Sequence, residues 1–235
     1  MTSADATPVP APLGRVLAVW VIAWSFGGVV LGQVVLALSG TGAGERIGTV
    51  TLAALAATSW ACFGVGVVWL SRSVGGRVAD LIAWRFRPAD LLGIPAGIVA
   101  QVVAIPVLYL PLRAVWSDTF APERLEETAT DLVDAAVGWR IVLLVLVVVV
   151  GAPIVEEVVY RGVLQRAAVA RFGGVAGWLG ASLFFGLIHL RPVELPGLAL
   201  AGLVFGVFAW RTGRLGGSVL AHVAFNATGL IPLLV

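Results

Sequence analysis

The sequence predicts an all-α fold, a polytopic transmembrane helical bundle of about seven spans (six to eight) with one amphipathic interfacial helix. Composition is the first reason. Of the 235 residues, 60% are hydrophobic and 12% charged, with a mean hydropathy of +1.02, against roughly 45–50% apolar and 25% charged in a soluble domain. Periodicity is the second, because the apolar residues fall in runs of about 20, the length that crosses a bilayer as a helix. The third is that charged residues collect mainly between those runs. A disordered chain is excluded by this hydrophobicity, and a disulfide-rich secreted domain by the single Cys62.

Taken in order, residues 1–14 are rich in Pro, Ala and Thr, lack the basic start of a signal peptide, and read as a disordered tail. Three spans follow within residues 15–116, at Val16–Leu38, Thr49–Leu70 and Leu91–Leu112. Residues 117–138 are mostly acidic among their charges, with Leu125, Leu132, Val133, Ala136 and Val137 at helical spacing, as an interfacial helix requires. A long run begins at Trp139, meets Gly151-Ala152-Pro153 and continues as helix to about Phe172. Pro153 removes a backbone donor and opens the preceding turn, or else begins a new helix whose first turn holds Glu156 and Glu157. After Gly173-Gly174 come three shorter segments, Val175–Leu190, Leu195–Trp210 and Ser218–Val235. Residues 117–235 thus form one region, and no internal repeat divides the chain.

All 15 basic residues are Arg. They are scattered between apolar runs, which is the pattern of orientation signals and not of a nucleic-acid site. With the N-terminus inside, the inner connections hold Arg15, Arg72, Arg77, Arg85, Arg87, Arg161, Arg166, Arg171, Arg211 and Arg214, ten against five outside. The excess of positive charge therefore predicts a cytoplasmic N-terminus. Arg in place of Lys, with heavy use of Ala, Gly and Val, suggests a GC-rich prokaryotic genome and hence a prokaryotic plasma membrane.

An ionisable group inside a span costs roughly 2.5–3.5 kcal/mol on insertion scales, so each one is a functional candidate. Glu156-Glu157-Val158-Val159-Tyr160-Arg161, Phe185 to His189, and His222 to Asn226 meet that test, and they hold both histidines of the chain. Glu157 and Arg161 are i,i+4 and share a face, so they pair, whereas Glu156 points about 100° away. Glu157 and Arg161 accordingly read as structural and Glu156 as chemical. His222 and Asn226, also i,i+4, address one side of their helix; taken alone they are equally an interhelical hydrogen bond. Ser218, i,i+4 with His222, reads as a helix N-cap. If residues 154–171 and 175–190 form a hairpin about Gly173-Gly174, Glu156 and His189 lie roughly 22–26 Å from the turn and meet at one level.

In that order on successive apolar segments, Glu156-Glu157-x-x-x-Arg161, Phe185-x-x-x-His189 and His222-x-x-x-Asn226 resemble the CPBP family of intramembrane proteases. That family includes the type II CAAX prenyl endopeptidases and the bacterial Abi, or bacteriocin-processing and immunity, proteins. The resemblance covers about residues 120–235. It implies an endopeptidase in which Glu156 and His189 activate water, His222 and Asn226 stabilise the oxyanion, and Glu157 and Arg161 hold the site together. It also implies two forms of the chemistry: a metal such as zinc held by Glu156, His189 and His222, or a metal-free glutamate mechanism. A hydrophobic or lipidated peptide entering from the bilayer is the implied substrate. The competing readings are a non-catalytic membrane scaffold or bacteriocin self-immunity protein, and a proton-coupled transporter. The sequence is silent on oligomeric state.

Overall fold

The computed structural model describes residues 10–234. The expected tail thus lies largely outside the described residues, although α1 already begins at Leu13 and Ala11 is buried, so the end of that tail belongs to the bundle. Six helices are long and apolar enough to cross a membrane among the described residues. These are α1 (Leu13–Ser39), α2 (Thr49–Ser73), α3 (Pro88–Val115), α5 (Trp139–Phe172), α7 (Leu195–Thr212) and α8 (Gly216–Leu234). Between them lie α4 (Pro122–Asp134), which is polar and has no buried residue, and α6 (Gly174–Leu187), which is apolar but shorter. The polytopic bundle is as the sequence predicts, with α6 completing seven apolar helices.

Several spans widen locally into i→i+5 turns, at Trp24–Val30, Ala100–Ala104, Leu146–Gly151 and Glu157–Gln165. Two of them sit just before a proline, Pro106 and Pro153. A proline supplies no N–H and its ring crowds the carbonyl four residues back, so a wider turn is the low-cost accommodation. Pro153 does not start a new helix: residues on both sides remain helical from Trp139 to Phe172. Glu156 and Glu157 therefore have no free helix N-terminus beside them. Where α4 ends at Asp134, Ala136 turns into the core and Val137 is left exposed, so these two are not part of its apolar stripe.

Interhelical contact is made by small residues. Gly93 and Gly97 on α3 lie against the backbone of Gly217 and Ala221 on α8; a Cβ added at Gly97 would stand 2.0 Å from the Ala221 carbonyl oxygen. The two small-x-x-x-small pairs let the backbones touch, as membrane helices do when apolar burial alone gives no driving force. Gly173, at φ +86°, makes the turn between α5 and α6. The bundle has two ends of unlike charge. Arg46 pairs with Asp131 and Asp134, and Arg191 with Glu194, around α4. At the other end Arg85 pairs with Asp80 and Arg214 with Asp90. Arg161, counted with the connections in the sequence, is instead buried between helices.

Candidate functional site

Two polar ladders face each other inside the bundle. On α5, Glu157, Arg161 and Gln165 follow at intervals of four, and all three are buried. Arg161 Nη2 donates to Gly202 O at 3.4 Å and Gln165 Nε2 to Gly206 O at 2.8 Å, so the ladder docks α5 along the backbone of α7. The Arg161 guanidinium also lies 4.2 Å from the centre of the Phe185 ring and 5.5 Å from that of Phe205, an aromatic sandwich that stabilises a cation away from water. On α8, Ser218, His222 and Asn226 repeat the interval of four.

Glu157, with no exposed surface, is the node between the ladders. Its Oε1 is 3.0 Å from Arg161 Nη1 and 2.8 Å from His222 Nδ1, while Ser218 Oγ lies against its Oε2. Ser218 Oγ is also 2.9 Å from Phe205 O, so the hydroxyl stands between two acceptors. Far from capping α8, Ser218 sits inside the helix, which opens at Gly216. A carboxylate accepts only, so the Glu157 contact places a proton on His222 Nδ1. The His222 ring stacks on Phe205 with centroids 4.4 Å apart, which fixes its plane.

Glu156 takes a different course from its neighbour. Its side chain is 28% exposed, and its Oε2 lies 3.8 Å from His222 Nε2. Two atoms at that separation can both reach about 2.8 Å from one water oxygen. His222 is thus flanked by a sealed carboxylate on one nitrogen and an accessible one on the other. His189 follows α6 directly, half-buried, with Nδ1 2.7 Å from Phe185 O. It joins the cluster through the Phe185 ring, 4.9 Å from the His189 centroid and 5.9 Å from that of His222. Among the described residues His189 forms no ion pair with either glutamate.

Asn226 is engaged elsewhere. Its Nδ2 donates to Val148 O at 2.8 Å. In the i→i+5 register of this stretch, the Ala152 N–H bonds Val147 O, so the next donor due, for Val148 O, belongs to residue 153. That residue is Pro153 and has no N–H. Asn226 satisfies the carbonyl that the proline orphans, using one of its two amide hydrogens.

A comparison of the chain with known families finds a likeness over this region. Residues 138–228 match the family model of the Rce1-like type II CAAX prenyl endopeptidases. The resemblance carried by the three motifs is thereby borne out, and all of the residues in them fall inside the Rce1-like segment. With six membrane-length apolar helices, the match indicates an integral membrane protein that is similar over residues 138–228 to CAAX-type intramembrane proteases in general. No curated protein and no solved structure matches the chain.

The Rce1-like segment does not assemble Glu156, His189 and His222 as a metal site. Among the described residues no group of three or more His, Cys, Asp or Glu side chains is placed to hold a metal ion. Glu156 and the Nε2 atoms of both histidines are not consumed by other contacts, but His189 meets the cluster through the Phe185 ring and pairs with neither glutamate, so the three donors are not gathered about one point. Sequence reasoning missed Ser218, Gln165 and Phe205 as parts of the cluster. The first two were legible as the outer members of the two i,i+4,i+8 ladders; Phe205 carries no such signal.

Proposed function

We propose that the chain is an intramembrane endopeptidase that hydrolyses a peptide bond in a hydrophobic or lipidated peptide reaching it from the bilayer. The observation that carries this is the pair of unlike carboxylates on either side of His222, one sealed and one accessible. In this reading Glu156, assisted by His189, takes a proton from water. The water oxygen adds to the scissile carbonyl carbon, the C–N bond breaks, and the proton passes to the leaving nitrogen, giving a new carboxylate and a new amine. His222, with Nδ1–H held by Glu157, offers Nε2 to the developing oxyanion when that nitrogen is protonated. The second Nδ2 hydrogen of Asn226 adds to it. Glu157, Arg161 and Ser218 act by positioning His222.

The separation of His189 from the Glu156–His222 pair supports the metal-free form of this chemistry, and no step above is routed through a metal. We further propose a cytoplasmic N-terminus, on the distribution of Arg, and a prokaryotic cell, on the use of Arg in place of Lys with heavy Ala, Gly and Val. The test is digestion of a library of hydrophobic peptides by the full chain in detergent, in water enriched in oxygen-18. Cleavage that places one heavy oxygen on the new C-terminus supports the reading, and loss of that cleavage in His189→Ala and His222→Ala assigns it to this site. A folded protein that cleaves no hydrophobic or prenylated peptide would favour a non-catalytic scaffold or immunity protein.

A further inference from the structure

Gln101 lies midway along α3, roughly 20 Å from either end of the helix, and the chemistry proposed above does not use it. It falls in the i→i+5 turn at Ala100–Ala104 and is half-buried. Among the described residues its carboxamide forms no hydrogen bond. At that depth in a span a polar side chain is costly, and by default it serves a function. The side chain reaches α8. A Cβ added to Gly229 would stand 3.0 Å from Gln101 Nε2 and 3.3 Å from its Cδ, so the missing side chain at 229 makes the room that the carboxamide fills. Gly229 is seven residues beyond His222, and two turns of helix return to the same face within about 20°. The face that carries Ser218, His222 and Asn226 therefore continues into Gly229, with Gln101 laid over it.

A peptide is extended where its bond is cleaved, and in an apolar site an extended segment leaves N–H and C=O groups that no water satisfies. A carboxamide complements a peptide unit: its oxygen accepts from an N–H and its nitrogen donates to a C=O. We propose that Gln101 is a substrate-binding residue that hydrogen-bonds the backbone of the peptide close to its scissile bond. Where that bond lies rests on the endopeptidase reading. With the oxyanion midway between His222 and Asn226, Gly229 is about 7–8 Å further along α8, a distance that an extended chain covers in about two residues. Because the contact is to backbone, Gln101 selects an unwound segment over a helical one and is indifferent to the side chains around it.

The experiment uses a synthetic apolar peptide of about 20 residues, with a set in which one amide at a time is replaced by an ester, and the full chain in detergent. Binding is read by fluorescence anisotropy in the Glu156→Gln background, and cleavage in the wild type. Gln101→Met keeps the length of the side chain and removes the carboxamide; it should weaken binding and raise KM about five- to tenfold, with kcat within about twofold. Gly229→Ala, which pushes the carboxamide aside, should act in the same direction. Gln33→Met, at an exposed position on α1, should change neither. One ester, about two residues from the cut, should cost about as much in the parent and little in Gln101→Met. The melting temperature of Gln101→Met should hold or rise, since no bond within the protein is lost; a fall would make the residue structural. Equal binding in the parent and Gln101→Met, or the same ester profile in both, would overturn the inference and leave the endopeptidase reading standing. Coupled binding with no cleavage by the wild type would remove that reading and keep Gln101 as a backbone-binding residue, and a chain that binds no peptide would end both.

Discussion

His222 presents Nδ1 to Glu157 Oε1 at 2.8 Å, so a carboxylate with no exposed surface decides how the imidazole faces Glu156. Everything proposed for the site turns on this contact, because it separates two adjacent glutamates into a support and a reactant. Their i,i+1 relation on one helix makes that separation possible: neighbouring positions point about 100° apart.

Glu157→Gln removes the anion between Arg161 and His222 and leaves a buried guanidinium without its partner. Breaking a buried pair in this way costs about 3–5 kcal/mol. Glu156→Gln, at a partly exposed residue, should cost less than about 1 kcal/mol. Thermal melts in detergent check the contrast: the first variant melts well below the wild type and the second close to it.

Asn226 and Pro153 should be thermodynamically coupled. Asn226→Ala orphans Val148 O and costs about 1–3 kcal/mol, but Pro153→Ala supplies an N–H for that carbonyl within the helix. In a double-mutant cycle the stability loss from Asn226→Ala shrinks in the Pro153→Ala background. Any loss of cleavage that persists there measures what Asn226 does beyond repairing the helix.

Gly97→Ala places a methyl 2.0 Å from the Ala221 carbonyl and forces α8 away from α3. Overpacking of this kind costs about 1–3 kcal/mol, and His222, one residue beyond Ala221, moves with the helix. Gly180→Ala, where an added Cβ meets nothing, is the matched control. Melting temperature and cleavage should both fall in the first variant and hold in the second.

Chelation should leave cleavage unchanged. Glu156 and His222 Nε2 face each other across 3.8 Å while His189 stands apart behind the Phe185 ring, so the proposed chemistry uses water and no ion for phenanthroline to remove. Loss of activity on chelation, restored by zinc, would sink the metal-free form.

Much of the site was legible because scarcity does the sorting: with 13 acids and two histidines in the whole chain, few ionisable groups fall within spans. The pairing of Glu157 with Arg161 followed from spacing alone. What stayed hidden depends on registry between helices. Asn226 reaches Val148 O only because Pro153 and an i→i+5 turn strand that carbonyl, and the sequence of α8 contains no trace of it. Arg161 was counted among the connections because the charge rule weighs a cation near a span end without knowing which way it points. Ser218 beside a turn looks like a cap until the helix start, at Gly216, is known.

The most direct measurement of the central claim is cleavage of a hydrophobic peptide by folded Glu156→Gln protein beside wild type, at equal melting temperature. The account predicts that cleavage falls by about 10²-fold or more, since a carboxamide cannot accept the proton from water. Cleavage at the wild-type rate would contradict it.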